Sequence, residues 1–450
     1  MAVKNRSLSI LIVTGFLCLG TAYGQKLTFN GSPHKVIEIA PEASTGLAAV
    51  YVVDNLQACT VSYTSSSGNV IWQRYSNLGG GFAEPVTDVS RTGNTFTIHA
   101  DGNDVGYIID DGTRRHCFWT VNYSNHNLRL ESFSVSEDDS ECDRTVLAPA
   151  GQGDAITYYS INGRAVELSR DIEVEYRTLA YDEDAQVWRE SQASVTFPSL
   201  RQHLSVDAPL CNTDFTLRGD RFLAEWGQEQ QVVSGYYNTV AVNARTVVEQ
   251  VEHTADNESR PSGDGELGGS APAEITFRAF PTDAAVFREW QFSPSSEFED
   301  ITERFNQDEI TRVFTDEGTV YARYVCADAS GKCVYEGSVY PITIGASKLE
   351  CPNAFSPANQ DGINDEWKVS YTSIISFECN IFNRWGIKMA TLNNPSQGWD
   401  GKYKGKFVPS GVYFYVIKAK GADGKAYDLS GDINIINSRI SNSTGTSGEE

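Results

Sequence analysis

From Ala48 onward the chain keeps returning to one pattern: a short run of β-branched and aromatic residues alternating with polar ones, then a cluster of Gly, Asn, Ser or Asp. Period-two runs put successive side chains on opposite faces, as half-buried strands require, and the polar clusters close them into hairpins. Thr60 to Tyr63, the turn residues Thr64 to Asn69, and Val70-Ile71-Trp72-Gln73-Arg74-Tyr75 form one such set. A sharper one lies at Asn162-Gly163, between Ile156–Ile161 and Arg164–Leu168, because both turn residues tolerate positive φ. With 21 Tyr, 21 Phe and 38 Gly beside 2 Met, long amphipathic helices are disfavoured. The expectation is an all-β chain of tandem immunoglobulin-like β-sandwich domains.

At 450 residues the chain exceeds what one hydrophobic core serves. Lys4 and Arg6 precede an apolar stretch from Leu8 to Leu19 and the small-residue site Ala22-Tyr23-Gly24, a secretory signal peptide over 1–24. Leu17 stands where lipidation of Cys18 would need a small residue, and no other stretch approaches the roughly 20 apolar residues of a membrane span. The mature chain divides into sandwiches at 25–146 and 147–255, a third immunoglobulin-like unit at 256–348 opened by a polar linker in His253–Ser270, a C-terminal domain at 349–440, and a Ser/Gly-rich disordered tail at 441–450.

The net charge of −23 becomes −25 when Lys4 and Arg6 leave with the signal, and a field of that sign repels phosphate backbones and anionic lipid. Nucleic acid is therefore not an expected partner. Of nine cysteines, Cys18 is removed, and the other eight enter an oxidising compartment with 105 formal connectivities. Cys326 and Cys333 flank the turn-rich segment Ala327 to Lys332 between two strand-like runs, which suggests a bridge across a hairpin; buried free thiols are the alternative. No paired Cys/His spacing suggests zinc.

Nucleophile-elbow, phosphate-loop, dinucleotide and zinc-helix signatures are absent, and the six histidines are scattered. Asp110-Asp111 offers two carboxylates, but neighbours on a strand face opposite ways, so an acid–base pair is not expected from them. No cofactor is expected. Trp72, Tyr75, Phe82, Trp119 and Tyr123 cluster in the first domain's sequence and would stack on sugar rings if exposed; core packing is the other use. Asp361, Asn364 and Asp365 carry oxygens at a spacing that suits calcium, and equally an Asx-type turn.

The last hundred residues carry a series of short segments: Pro352-Asn353-Ala354-Phe355-Ser356-Pro357, Asp361-Gly362-Ile363-Asn364-Asp365, Asn383-Arg384-Trp385-Gly386, Gly398-Trp399-Asp400-Gly401, Pro409-Ser410-Gly411-Val412-Tyr413-Phe414-Tyr415, and Gly431 in a final strand. In that order they resemble the gliding-motility-associated C-terminal domain of Bacteroidetes, the type B sorting signal of the type IX secretion system. The family's usual Ser-Pro-Asn-Gly-Asp-Gly is one residue longer here, Ser356 to Gly362, and lacks the middle glycine. Within the domain, Ile381, Phe382, Trp385, Val412, Phe414 and Val416 are expected to supply core faces. Upstream, Ile275-Thr276-Phe277, Trp290-Gln291-Phe292 and Phe314 to Tyr321 are similar to a PKD-type module, and residues 25–348 resemble uncharacterised Bacteroidales surface proteins, Gly268 to Pro272 included. The resemblance implies as partners the type IX translocon, its outer-membrane β-barrel shuttle and a PorP/SprF-like outer-membrane protein. The function expected is that of an exported surface protein working in adhesion, its ligand a glycan or another extracellular molecule. The competing readings are a secreted carbohydrate-active enzyme and a purely structural surface or motility component.

Overall fold

The computed structural model describes residues 27–77, 83–260, 266–358 and 361–436. The signal peptide, Phe82 and the tail after Ile436 lie outside those residues. Nearly every described element is a strand, apart from the single-turn helix Arg221–Glu225 and short 3-10 turns. The sandwiches follow one another along the chain.

The first packs a four-stranded sheet, ordered Leu27–Asn30, Thr60–Thr64, Thr95–His99 and Ser90–Thr92, against a six-stranded sheet centred on Ala49–Val53, Arg115–Asn122 and Val105–Asp110. Ala49–Val53 runs parallel to Arg115–Asn122 and all its residues are buried. Alternation explains this burial: Ala49 and Tyr51 face the first core, while Val50 and Val52 face residues of the second unit. The middle sheet is thus covered on both faces.

The second unit pairs Arg129–Val135, Arg144–Gln152 and Leu204–Asp207 in one sheet and Val187–Phe197, Ile172–Asp182, Phe215–Gly219 and Gln230–Val233 in another. The hairpin at Asn162-Gly163 forms, with Ile156–Tyr159 antiparallel to Ala165–Leu168 and Gly163 at φ +82°. The boundary expected at 146 falls inside a strand, because Val135 lies opposite Leu147 in the Arg129–Val135 pairing. The acidic run Ser136 to Asp143 is a connection within this sheet, closed by Ser136 N–H donating to Val146 O, and does not separate domains.

A similar shift occurs at 255. Ala244–Gln250 pairs along its length with Ala273–Pro281, so it belongs to the third unit. That unit's core is aromatic, with Phe277, Trp290, Phe292, Phe314 and Tyr324 buried together. The expected linker is partly fastened: Asn257 Nδ2 donates to Val369 O at 2.7 Å and Pro395 O at 2.8 Å, and Ser259 N–H donates to Tyr371 O. Residues 253–259 therefore strap the third unit onto the fourth.

The fourth unit is built on a five-stranded sheet ordered Ala354–Phe355, Ala426–Ile435, Gly411–Gly421, Ile374–Phe382 and Lys388–Leu392. Its core gathers Phe355, Trp367, Ile381, Trp399, Tyr413, Ile417 and Ile433. Of the core expected here, only Ile381 is buried. Trp385 is 70% exposed, Val412, Phe414 and Val416 are also exposed, and Phe382 is half-buried. Gly411–Gly421 turns its other alternate set, Tyr413, Ile417 and Ala419, inward; period two fixes the alternation but not which phase faces the core.

Candidate functional site

The residues that carry the C-terminal motif divide into a structural set and an exposed set. Trp399 is in the structural set, its ring against Tyr413 at 5.4 Å and Phe355 at 5.6 Å, its Nε1–H donating to Lys402 O. Its backbone exchanges two hydrogen bonds with Trp367, whose own Nε1–H donates to Pro352 O at 2.7 Å. Asn353 O accepts from Asn434 N–H, tying the domain's first strand to its last. Asp400 Oδ1 accepts Lys402 N–H, and Pro409 O accepts the Tyr413 hydroxyl.

Two glycines are set by close approach. A Cβ on Gly401, at φ +67°, would lie 2.6 Å from Pro357 Cγ; one on Gly431 would lie 2.6 Å from the Tyr415 hydroxyl. Tyr415 packs on Trp367, and burial pushes its hydroxyl up to about 12. Gly411 sits at φ +149° with open space around it, so its requirement is conformational.

The acidic loop forms turns. Asp361 Oδ1 accepts Ile363 N–H, Asp365 Oδ2 accepts Gly362 N–H, and Asn364, at φ +54°, gives its carbonyl to Ser356 N–H. Among the described residues no group of three or more His, Cys, Asp or Glu side chains is placed to hold a metal ion.

The exposed set gathers at one groove of about 410 Å³. Asn383 Oδ1 accepts both Trp385 N–H and Ile387 N–H at 3.0 Å, and Gly386 N–H donates to Asn383 O, so the turn is held while Trp385 projects outward. Arg384 lies over the Trp385 ring at 4.3 Å. Pro409 to Tyr413 line the same groove.

Elsewhere the structure moves several expected site residues. Trp72, Tyr75, Trp119 and Tyr123 are each at most 3% exposed. Trp72 faces the first core, against Tyr63 and Phe118, whereas Tyr75, Trp119 and Tyr123 face the second unit. As buried rings on two faces of one sheet, they offer no platform for a sugar. Asp111 is also buried, its carboxylate accepting from Thr113 Oγ1 at 2.7 Å, Thr113 N–H, Arg114 N–H and Ser65 Oγ. These hydrogen bonds, that of the Thr113 side chain first, hold it well below the usual carboxylate range.

The expected Cys326–Cys333 bridge is replaced by Cys142–Cys333, with Cα atoms 5.3 Å apart at a sequence separation of 191. In the hairpin, Cys326 stands opposite Tyr335, not Cys333, and its side chain points into the third core, where burial pushes the thiol up to about 11. Cys333 sits in the loop beyond and faces the second unit's hairpin connection. Only long-range packing reveals that pairing.

Residues 349–434 match the family model of the CHU_C type IX secretion signal domain. The chain carries a type IX secretion signal domain. Upstream, residues 134–234 match a fibronectin type III domain, a span that runs across position 146 as the sheet pairing does. No curated protein matches the chain. Among solved structures, a tetra-tandem repeat from the extending region of a large adhesion protein aligns at 10% identity over 86% of this chain and 99% of that one, TM-score 0.21. The BSP domain of a biofilm-associated protein aligns at 10% identity over 92% and 96%, TM-score 0.15. The fibronectin(III)-like modules of Clostridium thermocellum CbhA align at 11% identity over 42% and 94%, TM-score 0.17. Overlays at such scores carry nothing about ligands. The sorting domain implies export to the cell surface or the extracellular space and contact with the secretion machinery.

Proposed function

We propose that the chain is a surface-displayed binding protein, exported in two stages and working in adhesion through the sandwiches ahead of its sorting domain. The signal peptide at 1–24 would deliver it to the periplasm, and the folded domain after Lys348 would take it across the outer membrane by way of the shuttle and a PorP/SprF-like protein. The observation that carries this reading is the secretion signal domain behind a row of β-sandwiches, which supports export of the upstream units with it. We read the third unit, around Trp290 and Phe292, as PKD-like.

A carbohydrate-active enzyme is the second reading, and a purely structural component the third. The sequence gives the enzyme no recognisable catalytic motif, and the carboxylate of Asp111 is committed to its own turn. The secreted full chain, purified from culture and applied to glycan and matrix-protein arrays beside a polysaccharide turnover screen, separates the three. Retention without turnover supports the binding protein; turnover supports the enzyme; neither leaves the structural component.

A further inference from the structure

Most of the residues that carry the C-terminal motif serve the domain's fold. Trp399, Tyr413 and Phe355 fill its core, whereas the Asn383–Ile387 turn exposes Trp385, Arg384 and Ile387, and these meet Met389, Pro409 and Val412 around a single groove. A tight turn could be made with any polar residue at 385, because the Asn383 side chain and Gly386 supply its hydrogen bonds and its positive φ. The ring is instead held in solvent under a guanidinium. From the groove the outer face of the sheet carries two further exposed apolar residues, Phe414 and Val416, with Asp432 and Ser430 opposite them on the next strand.

Arg384 lines the groove, and the segments that supply its walls are basic. Segments 383–388 and 402–413 contain Arg384, Lys388, Lys402, Lys404 and Lys406 and no Asp or Glu, in a chain whose net charge is −23. Asp400, just outside, pairs with Lys402 alone. A tryptophan and an arginine in an apolar groove have the composition of an interface centre rather than of a free surface.

We propose that this groove is where the sorting domain docks onto the secretion machinery, on a protein surface that offers an apolar side chain to Trp385 and a carboxylate to Arg384. The proposal rests on the sorting reading above. It accounts for how a folded cargo is selected irrespective of what precedes it: the acidic upstream units are repelled by such a surface, and the basic groove is attracted.

The test uses the full chain in a type IX-competent host as wild type, Trp385→Ala, Arg384→Glu and a truncation removing 349–450. Protease shaving of intact cells and periplasmic fractionation give the surface-to-periplasm ratio, and the melting temperature of purified protein reports the fold. We expect the truncation to stall, and both substitutions to lower the ratio about ten-fold or more at unchanged melting temperature, as loss of an interface hot spot does. If the truncation stalls but both variants are exported like wild type, the groove is not the docking site and the sorting reading stands. Export of the truncation removes both. Should Trp385→Ala lower the melting temperature, Arg384→Glu decides, since Arg384 is exposed in the turn. Sedimentation with phosphatidylglycerol vesicles that depends on Trp385 would assign the groove to a lipid surface and overturn the protein partner.

Discussion

Arg170 and Asp220 face each other at 2.8 Å with 1% and 0% of their side chains exposed, sealed where the first and second units meet. Asp220 also caps the helix Arg221–Glu225 through Leu223 N–H and accepts the Tyr123 hydroxyl. Arg170 also donates to His126 O, Asp154 O and the Tyr123 hydroxyl. The pair and its hydrogen bonds therefore join residues of both units, which already share an apolar core through Val50, Trp119 and Tyr123 on one side and Ile172, Leu217 and Phe222 on the other.

Removing one partner of such a pair leaves a buried charge without compensation. Asp220→Ala should destabilise the first two units by about 3–5 kcal/mol, whereas replacing both residues by apolar ones of similar volume should cost far less. Chemical denaturation of the single and double variants measures the difference. Equal losses would mean the charges are not what the site depends on.

The disulfide makes a separate prediction. Peptide mapping without reductant should recover Cys142 linked to Cys333 and Cys326 as a thiol that alkylates only after unfolding. A Cys142→Ser/Cys333→Ser variant should lose about 2–4 kcal/mol under oxidising conditions, and reductant should bring wild type down to it. A Cys326–Cys333 peptide would contradict the structure.

Acid should weaken the first unit through Asp111. Its carboxyl is depressed in the folded state by hydrogen bonds from Thr113 and Arg114, so its contribution is fully present above the unfolded value of about 3.9 and is lost as pH falls below it. Asp111→Asn should be less stable than wild type at neutral pH and show a flatter decline between about pH 4 and pH 2. Parallel acid profiles for the two would show that another group governs that window.

The strap between the third and fourth units depends on Asn257. Asn257→Ala would leave Val369 O and Pro395 O without their donor, at about 1–3 kcal/mol, and should lower the unfolding temperature of the sorting domain selectively. Hydrogen exchange at Tyr371 N–H, which donates to Asn257 O, reads this locally. Unchanged protection there would show the strap to be incidental.

Much of the architecture was legible because it depends on local chemistry. Alternation and turn residues indicate strands, and Asn162-Gly163 indicates a hairpin, though the loop closes between Ser160 and Arg164 and so takes in Ile161 as well. What was not legible depends on which elements meet. Tyr75 and Trp119 looked like candidate ligand-binding rings because nothing near them in sequence shows that a second sandwich covers their face. Cys333 pairs across 191 residues, and no spacing rule reaches that far. Phe414 and Tyr413 are adjacent and both aromatic, so composition alone did not decide which faced inward. The acidic loop at 136–143 was read as a boundary on its polarity, although loops within a sheet are equally polar.

Export as proposed depends on the sorting domain acting as the second address. Trp399, between Phe355 and Tyr413, is the fold's own control: Trp399→Ala should cost about 3–5 kcal/mol and impair export by unfolding the domain. The direct measurement is surface proteolysis of intact type IX-competent cells expressing either the full chain or the chain lacking 349–450. The full chain should be digested from outside while the truncated chain is protected in the periplasm. Equal digestion of the two would contradict this and would leave the C-terminal domain as one more structural module.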